Sequence, residues 1–540
     1  MEGFVGRPSS LGAVAWSCAI IGTLLALVPV SIAAAASPQN DVNVTALCEA
    51  TPYPSACETA LGSRHHLGGT ARNADPVATS VRFAMGRIRS ARAMARNFSS
   101  AASPSGMDDC AELLDVSHDH LGHVLASRDD DEVTTWLSAA MTHQATCGES
   151  LATVAYADAA SHEAVRARVS ALAQFVGAAL ALHANKVKAS TSSSSLSSSS
   201  SEEEELPSWL SEQDKKLLLA ASPAASGVAM DAVVALDGSG THRSIGEAIA
   251  HVTASAASGG RKVIYVKAGR YEENLNIGSN QGNVMLMGDG MGSTVIVAGK
   301  SVGSGSTTYA SATVAAMGSG FIAKGLTIQN SAGPGKGQAV ALRVGGDLSV
   351  IYQCAVQGYQ DTLYALSNRQ FYAYSNIAGT VDFIFGNAAA VFQNCNIQAL
   401  RPNSGQEDTV TAQGRSDPNQ NTGFSIHRCR ITAASNLGGT PVYLGRPWKM
   451  YSRTVVLMTY LDGAIAPAGW LEWDGNFALS TLYYGEYGNT GPGAGTSRRV
   501  TWNGVHSSMS ASDAMRFTVD DFIMGDSWLG GAGVSYVSGL

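Results

Sequence analysis

The stretch GYQDTLYALSNRQFYAYSNIAGTVDFIFGNA, residues 358–388, carries the same phrase twice. Gly358 stands to Gly379 as Asp361 to Asp382, Leu363 to Ile384 and Tyr364 to Phe385, all at an offset of 21 residues. Each copy sets a carboxylate in an apolar run, where it must lose its water. Around them FIAKGLTIQN, LSVIYQCAVQG, RQFYAYSNIAG, AAVFQNCNIQ and FSIHRCRITA alternate polar and apolar residues. Aligned, they bring Cys354, Ser375, Cys395 and Cys429 to one position, at spacings of 21, 20 and 34. Short strand segments recurring at this period are the mark of a β-helix.

If 21 residues make one turn, Asp361 and Asp382 occupy adjacent rungs with backbones about 4.8 Å apart. Two carboxylates that close do not both ionise cheaply: one pKa rises and the other stays low. One group then serves as acid while its neighbour serves as base or nucleophile. The competing reading is a ladder of turn-capping Asp residues. Tyr364 and Phe385 weigh against it, since they would line the same groove and suit stacking on a sugar ring. The pair alone leaves the reaction open, because a separation of about 5 Å also suits a retaining glycoside hydrolase.

At 540 residues the chain has room for two or three domains and a large core. Its 58 glycines favour a turn-rich architecture. Residues 1–220 hold 15 Lys and Arg against 23 Asp and Glu, whereas residues 221–540 hold 20 of each. A neutral second part without a basic block excludes a nucleic-acid binder. The first residues, MEGFVGRPSSLGAVAWSCAIIGTLLALVPVSIAAAAS, give one Arg, an apolar stretch and a run of small residues. Residues 1–36 therefore read as a signal peptide cut near Ala36 or as a signal anchor. Sequons at Asn43 and Asn97 fit export.

The segment STSSSSLSSSSSEEEE, residues 190–205, has nothing to bury and divides the chain within a linker and processing region at 189–220. Before it the period is helical. Val77, Val81, Ile88 and Met94 share one face, as do Val165, Val169, Leu172 and Val176, which predicts an all-α four-helix bundle over residues 41–188. Its four cysteines, Cys48, Cys57, Cys110 and Cys147, suggest two bridges in an exported chain, with three pairings open. His118, His120 and His123 in HDHLGH lie on a predicted helix without a carboxylate or cysteine pattern and read as a solvated polar face rather than a metal site.

The four-cysteine helical layout with TTWLSAAMTHQATC resembles the pectin methylesterase inhibitor domain, which implies pairing of Cys48 with Cys57 and Cys110 with Cys147. In order, GRYEEN (269–274), QAVALR (338–343), GYQDTLY, GTVDFIFGNA and LGRPWK (444–449) resemble the motifs of plant pectin methylesterases over residues 225–540. The resemblance implies a right-handed parallel β-helix catalytic domain that hydrolyses the methyl esters of homogalacturonan. It casts Asp382 as the nucleophile, Asp361 as acid and then base, Gln338 and Gln360 as oxyanion donors, and Arg446 as the group that orients Asp382. Trp448 and Trp470 look like substrate-stacking residues, beside Arg446, Tyr364 and Phe385 in substrate binding. No metal or organic cofactor is implied.

The resemblance further implies that the bundle restrains the enzyme as a pro-region until a subtilisin-like protease removes it. The partners would be methylesterified homogalacturonan, that protease and proteinaceous esterase inhibitors; the mature enzyme would be a monomer secreted to the cell wall. The chain departs from the family twice. Ser375 replaces a cysteine that many relatives pair with the counterpart of Cys395, leaving Cys395 free or bonded to Cys429; Cys354, two rungs away, is beyond reach. The basic pair usual before the catalytic domain is here Lys215 and Lys216 in DKKLLLA. A serine esterase is a poor competitor, since no G-x-S-x-G occurs and only four His lie beyond residue 220. The remaining rivals are a glycoside hydrolase or lyase on the same fold, and a cell-wall protein acting through its bundle as an inhibitor of other esterases.

Overall fold

The computed structural model describes residues 43–62, 75–99, 106–153, 159–193, 230–254, 260–532 and 534–540. The proposed signal segment, the rest of the Ser/Glu-rich linker and Lys215–Lys216 lie outside the described residues.

The N-terminal region is helical: α1 (Val44–Glu49), α2 (Pro54–Gly62), α3 (Pro76–Phe98), α4 (Gly106–Ala126), α5 (Asp130–Thr153) and α6 (Ala159–Ser193). The four long helices form the expected bundle, α4 packing on α3 and α5, and α6 on the same two. Two short helices precede it, and α6 runs to Ser193, five residues into the segment read as linker. Asp75 starts α3 by accepting from the amide of Val77, with Pro76 in the first turn, where a missing N–H costs nothing. The aliphatic faces read from the periodicity are inside: Val81, Ile88, Val165 and Val176 are fully buried. Disulfides join Cys48 to Cys57 and Cys110 to Cys147, in the implied pairing. His120 departs from expectation. It is buried between Trp136 and His143, and burial drives its pKa down to about 3.

From Ala232 onward the chain winds into a right-handed parallel β-helix of three sheets with 11, 7 and 8 strands. Neighbouring rungs stack like on like. Ile296, Ile328, Val356, Ile377, Ile397, Ile431 and Leu461 form one in-register column inside the coil, every member fully buried. Each such side chain contributes about 1.5–3 kcal/mol of burial. The alternation in sequence is this column seen one rung at a time.

The column of Cys354, Ser375, Cys395 and Cys429 also stands as aligned, with Thr459 as its next member. Each follows a residue of positive φ at a sharp turn: Gln353, Tyr374, Asn394, Arg428 and Met458. The hydroxyls and thiol here satisfy buried amides of the preceding rung. Cys354 N donates to Ser375 Oγ at 3.1 Å, Cys395 N to Cys429 Sγ at 3.3 Å and Cys429 N to Thr459 Oγ1 at 3.1 Å. That explains why Ser can stand for Cys at residue 375. All three cysteines are free and buried, so Cys395 takes the first of its two expected states.

Candidate active site

The two aspartates lie where the eight-stranded sheet hands over to the seven-stranded one, just before strands Leu363–Ala365 and Ile384–Gly386. Leu363 pairs with Ile384 and Tyr364 with Phe385, so Asp361 and Asp382 hold the same place on consecutive rungs. Both have left-handed backbones, with φ of 60° and 52°, a conformation in which Asp is among the better tolerated residues. Turning through this region aims both carboxylates out of the coil. The exit of the second strand is as tight: Gly386 has φ 122°, and a Cβ there would lie 2.1 Å from the carbonyl of Ala365.

Asp382 is 5% exposed and clamped. Arg446 donates through Nε to Oδ1 at 2.8 Å and through Nη2 to Oδ2 at 2.6 Å, the two-pronged geometry that a lysine cannot supply. Thr409 Oγ1 donates to Oδ1 at 2.6 Å while accepting from the amide of Asp382 at 2.8 Å. Oδ1 is therefore fixed from two sides. Asp361, 8% exposed, has no such clamp among the described residues. Burial pushes its pKa well above the carboxylate range, the charge of Asp382 pushes it further, and Arg446 pulls back only in part. The environment favours the protonated form of Asp361, beside an Asp382 held in position by Arg446 and Thr409.

The pair opens into a cavity of about 450 Å³, which Gln338, Gln360, Arg446 and Trp448 also line. Tyr364 and Phe385 stack at 4.2 Å, and Phe385 meets Trp448 edge to face at 5.9 Å. Trp448 lies close against residue 414, where any Cβ would come within 2.8 Å of its ring; Gly414 makes the room. One expected residue is elsewhere. Trp470 is 1% exposed and stacks on Tyr484 at 4.2 Å inside the coil, so it packs in the core and does not line the cavity. Trp473 lines the cavity instead, and lies under the guanidinium of Arg446 at 4.5 Å. Sequence reasoning missed Trp473 and Thr409. GRYEEN acts at a distance from the site: Glu273 accepts from Ser244 Oγ and from the amides of Ile245 and Gly246, capping α7 (Ile245–Thr253).

One wall of the cavity is Glu149, Ser150 and Ala152 from the end of α5. That helix lies along the groove with Thr135, Ser138, Thr142 and Thr146 buried on one face. Asn421 donates to Thr135 Oγ1 at 2.9 Å, Gln420 to the carbonyl of Ser138 at 3.1 Å and Asn387 to Thr142 Oγ1 at 2.8 Å. His143 meets Ser367 at 2.9 Å, and Lys449 pairs with Glu149.

Fold and site together define an enzyme of the parallel β-helix class, built around paired carboxylates in an aromatic groove. Comparison with known proteins narrows this. The family profile Pectinesterase matches residues 231–526, and the profile Plant invertase/pectin methylesterase inhibitor matches residues 42–182. Probable pectinesterase/pectinesterase inhibitor 35 of Arabidopsis thaliana is 50% identical over 446 residues, 80% of this chain and 81% of that protein. Pectinesterase 2 of Citrus sinensis is 44% identical over 509 residues, 92% of this chain and 95% of that one. Among solved structures, the pectin methylesterase from carrot is 55% identical with a TM-score of 0.57, spanning 58% of this chain and 99% of its own. The chain belongs to the pectinesterase family, carboxylic ester hydrolases, and carries an inhibitor domain ahead of the esterase domain.

Proposed function

We propose that the protein is an exported hydrolase that converts methylesterified homogalacturonan and water to pectate and methanol, with its bundle as a built-in restraint. The arrangement of Asp361 and Asp382 carries this reading: an immobilised carboxylate beside a protonated one, in a groove suited to a sugar polymer. Asp382 attacks the C6 carbonyl carbon of a galacturonate methyl ester. The negative charge that develops on the carbonyl oxygen is met by the amides of Gln338 and Gln360, which add no competing charge. As the C–OCH3 bond breaks, Asp361 gives its proton to the leaving oxygen and methanol departs, leaving an acyl-enzyme on Asp382. Asp361, now ionised, takes a proton from water, whose oxygen attacks the acyl carbon. Asp382 is expelled as a carboxylate, and Asp361 is again protonated for the next ester. Arg446 and Thr409 keep the nucleophile in line, while Tyr364, Phe385, Trp448 and Trp473 form apolar platforms for sugar rings.

The restraint is geometric. Glu149 and Ser150 stand in the cavity the ester must enter, and α5 covers the groove beside it. Export is supported by the apolar N-terminus, two disulfides in the bundle, and sequons whose asparagines, Asn43 and Asn97, are exposed. At Asn43 the side-chain Oδ1 caps α1, which leaves the amide nitrogen for a glycan. Processing at the end of DKKLLLA, the segment that holds Lys215 and Lys216, would free residues 221–540 into the cell wall as a monomer.

The test is methanol release from highly methylated pectin by residues 221–540, with reducing ends followed in parallel. Methanol without new reducing ends is expected, falling at least about 1,000-fold in Asp382→Asn. New reducing ends, or no methanol from the folded piece, would overturn the reading.

A further inference from the structure

The floor of the groove continues past the aspartates. On the outer face of the seven-stranded sheet one register row reads Asn276, Ala315, Arg343, Tyr364, Phe385, Ala412 and Arg446. At about 4.8 Å per rung, Arg343 stands one rung beyond Tyr364 and about 19 Å from Arg446. The rungs of Asp361 and Asp382 lie between the two cations. Arg446 is committed to Asp382, but Arg343 makes no ion pair among the described residues. Its Nη1 donates to the carbonyl of Tyr309 at 2.9 Å, its guanidinium lies over the Tyr309 ring at 3.1 Å, and its buried Nε has no partner.

Tyr309 separates the catalytic cavity from a second one of about 230 Å³, which Arg343 and the exposed Lys300 also line. In the intact chain the facing wall of that second cavity is α4, and what α4 offers there is two carboxylates, Asp109 and Glu112. Asp109 accepts a short hydrogen bond from Thr307 Oγ1; burial raises its pKa to about 6, and the hydrogen bond from Thr307 and the charge of Arg343 pull it back in part. A docked domain that sets two acidic side chains in the cavity Arg343 lines, in the line of the substrate groove, holds the place of acid groups in the substrate.

We propose that Arg343 and Lys300 form a subsite for the free carboxylate of a uronate neighbouring the ester under attack, on the Asp361 side, and that Asp109 and Glu112 occupy it while the bundle is docked. The proposal rests on the pectinesterase reading for its substrate. A methyl ester is neutral and gains only an ordinary hydrogen bond there. A carboxylate gains charge-assisted ones, roughly twice as strong, beside a guanidinium already desolvated against a ring. The product of one turnover thereby becomes the recognised neighbour for the next.

Binding tests this apart from turnover. Residues 221–540, whose carrot counterpart is a folded chain by itself, are titrated with fully de-esterified oligogalacturonate. Arg343→Gln and Lys300→Gln should each weaken Kd at least fivefold, and Arg343→Lys should weaken it less than Arg343→Gln. In methanol release the same variants should lose a preference, in kcat/KM, for half-esterified over fully esterified oligomers. Unchanged affinity in Lys300→Gln and in a folded Arg343→Gln would overturn the subsite even if the esterase reading stands. Weakened affinity without any methanol from the parent would keep the subsite and sink the esterase.

Discussion

Two faces of the same coil are covered by helices, and the covers are built differently. The outer face of the 11-stranded sheet is sealed by the chain's own C-terminal segment. Ile523, Trp528 and Leu529 pack on Met285, Ile322 and Phe371, and Trp528 donates its indole N–H to the carbonyl of Ile523. The seven-stranded sheet is covered by the bundle. An apolar patch from Ala315 through Tyr364 to Phe385 joins the bundle's core, but hydroxyls, amides and acids ring it. Exposing a buried Trp and its aliphatic neighbours costs about 25 cal/mol for every Å² of apolar surface. Releasing a hydrogen-bonded hydroxyl to water costs only about 0.5–1.5 kcal/mol net, because water takes the partner's place. One cover is part of the fold. The other is built to leave.

If that contrast is right, the bundle can be weakened without weakening the coil. Cys110–Cys147 ties α4 to α5, the two helices that face the groove, and closes a separation of 37 residues. Replacing both cysteines by Ala should destabilise the bundle by about 2–5 kcal/mol. Calorimetry of the intact chain should then show a transition that moves down while the β-helix transition, which owes nothing to a disulfide, stays. Basal methanol release should rise toward that of residues 221–540. A single transition shifting as a whole would mean the two covers are not separable.

The same contrast marks what could be read in the sequence. The coil repeats, so its register was legible wherever one rung resembled the next. The 21-residue echo of Asp361 in Asp382 and the column from Cys354 to Cys429 needed nothing else. Thr409 was hidden because the coil after Gly379 is longer, with residues 400–407 bulging before the strand Asp408–Gln413, so no fixed offset points from Asp382 to its hydroxyl partner. Trp470 and Trp473 lie outside the regular strands, where neither the two-residue nor the 3.6-residue period says which ring faces the coil. In the bundle, helical faces were plain, but the burial of His120 depends on which rings of α5 meet it and that of the hydroxyl row on α5 on a partner domain, neither of which periodicity reveals. Thr135, Ser138, Thr142 and Thr146 at helical spacing were a signal available in principle: a polar stripe on a helix whose other faces are already spoken for.

A smaller handle is the pH dependence of docking. Burial raises the pKa of Asp109 from 3.8 to about 6, against the pull of the Thr307 hydroxyl, Arg343 and the Ser150 hydroxyl and with a push from Glu112. The docked state therefore favours the protonated acid. Docking keeps its full strength below about pH 4 and weakens as pH rises through 6, by at most about 3 kcal/mol at 1.4 kcal/mol per pH unit. Activity of the intact chain, divided at each pH by that of residues 221–540 to remove the titration of Asp361, should climb between pH 4 and 7. In Asp109→Asn the climb should flatten. A ratio that falls with pH in the parent would reverse the assignment.

The least of the expected effects separates charge from shape at the groove mouth. Glu149 pairs with Lys449 from the bundle side, the two side chains 31% and 30% exposed, so solvent screens them. Such pairs contribute about 0.2–1 kcal/mol. Glu149→Gln keeps the side chain in the cavity and removes its charge, leaving the catalytic floor untouched. Activity of the intact chain relative to residues 221–540 should rise by less than about fivefold, and its increase with added salt should shrink, since part of what salt screens is already gone. A rise of a hundredfold would mean that this one carboxylate, rather than the row of hydroxyls along α5, holds the bundle down, and the polar cover would then be a single latch instead of a distributed one.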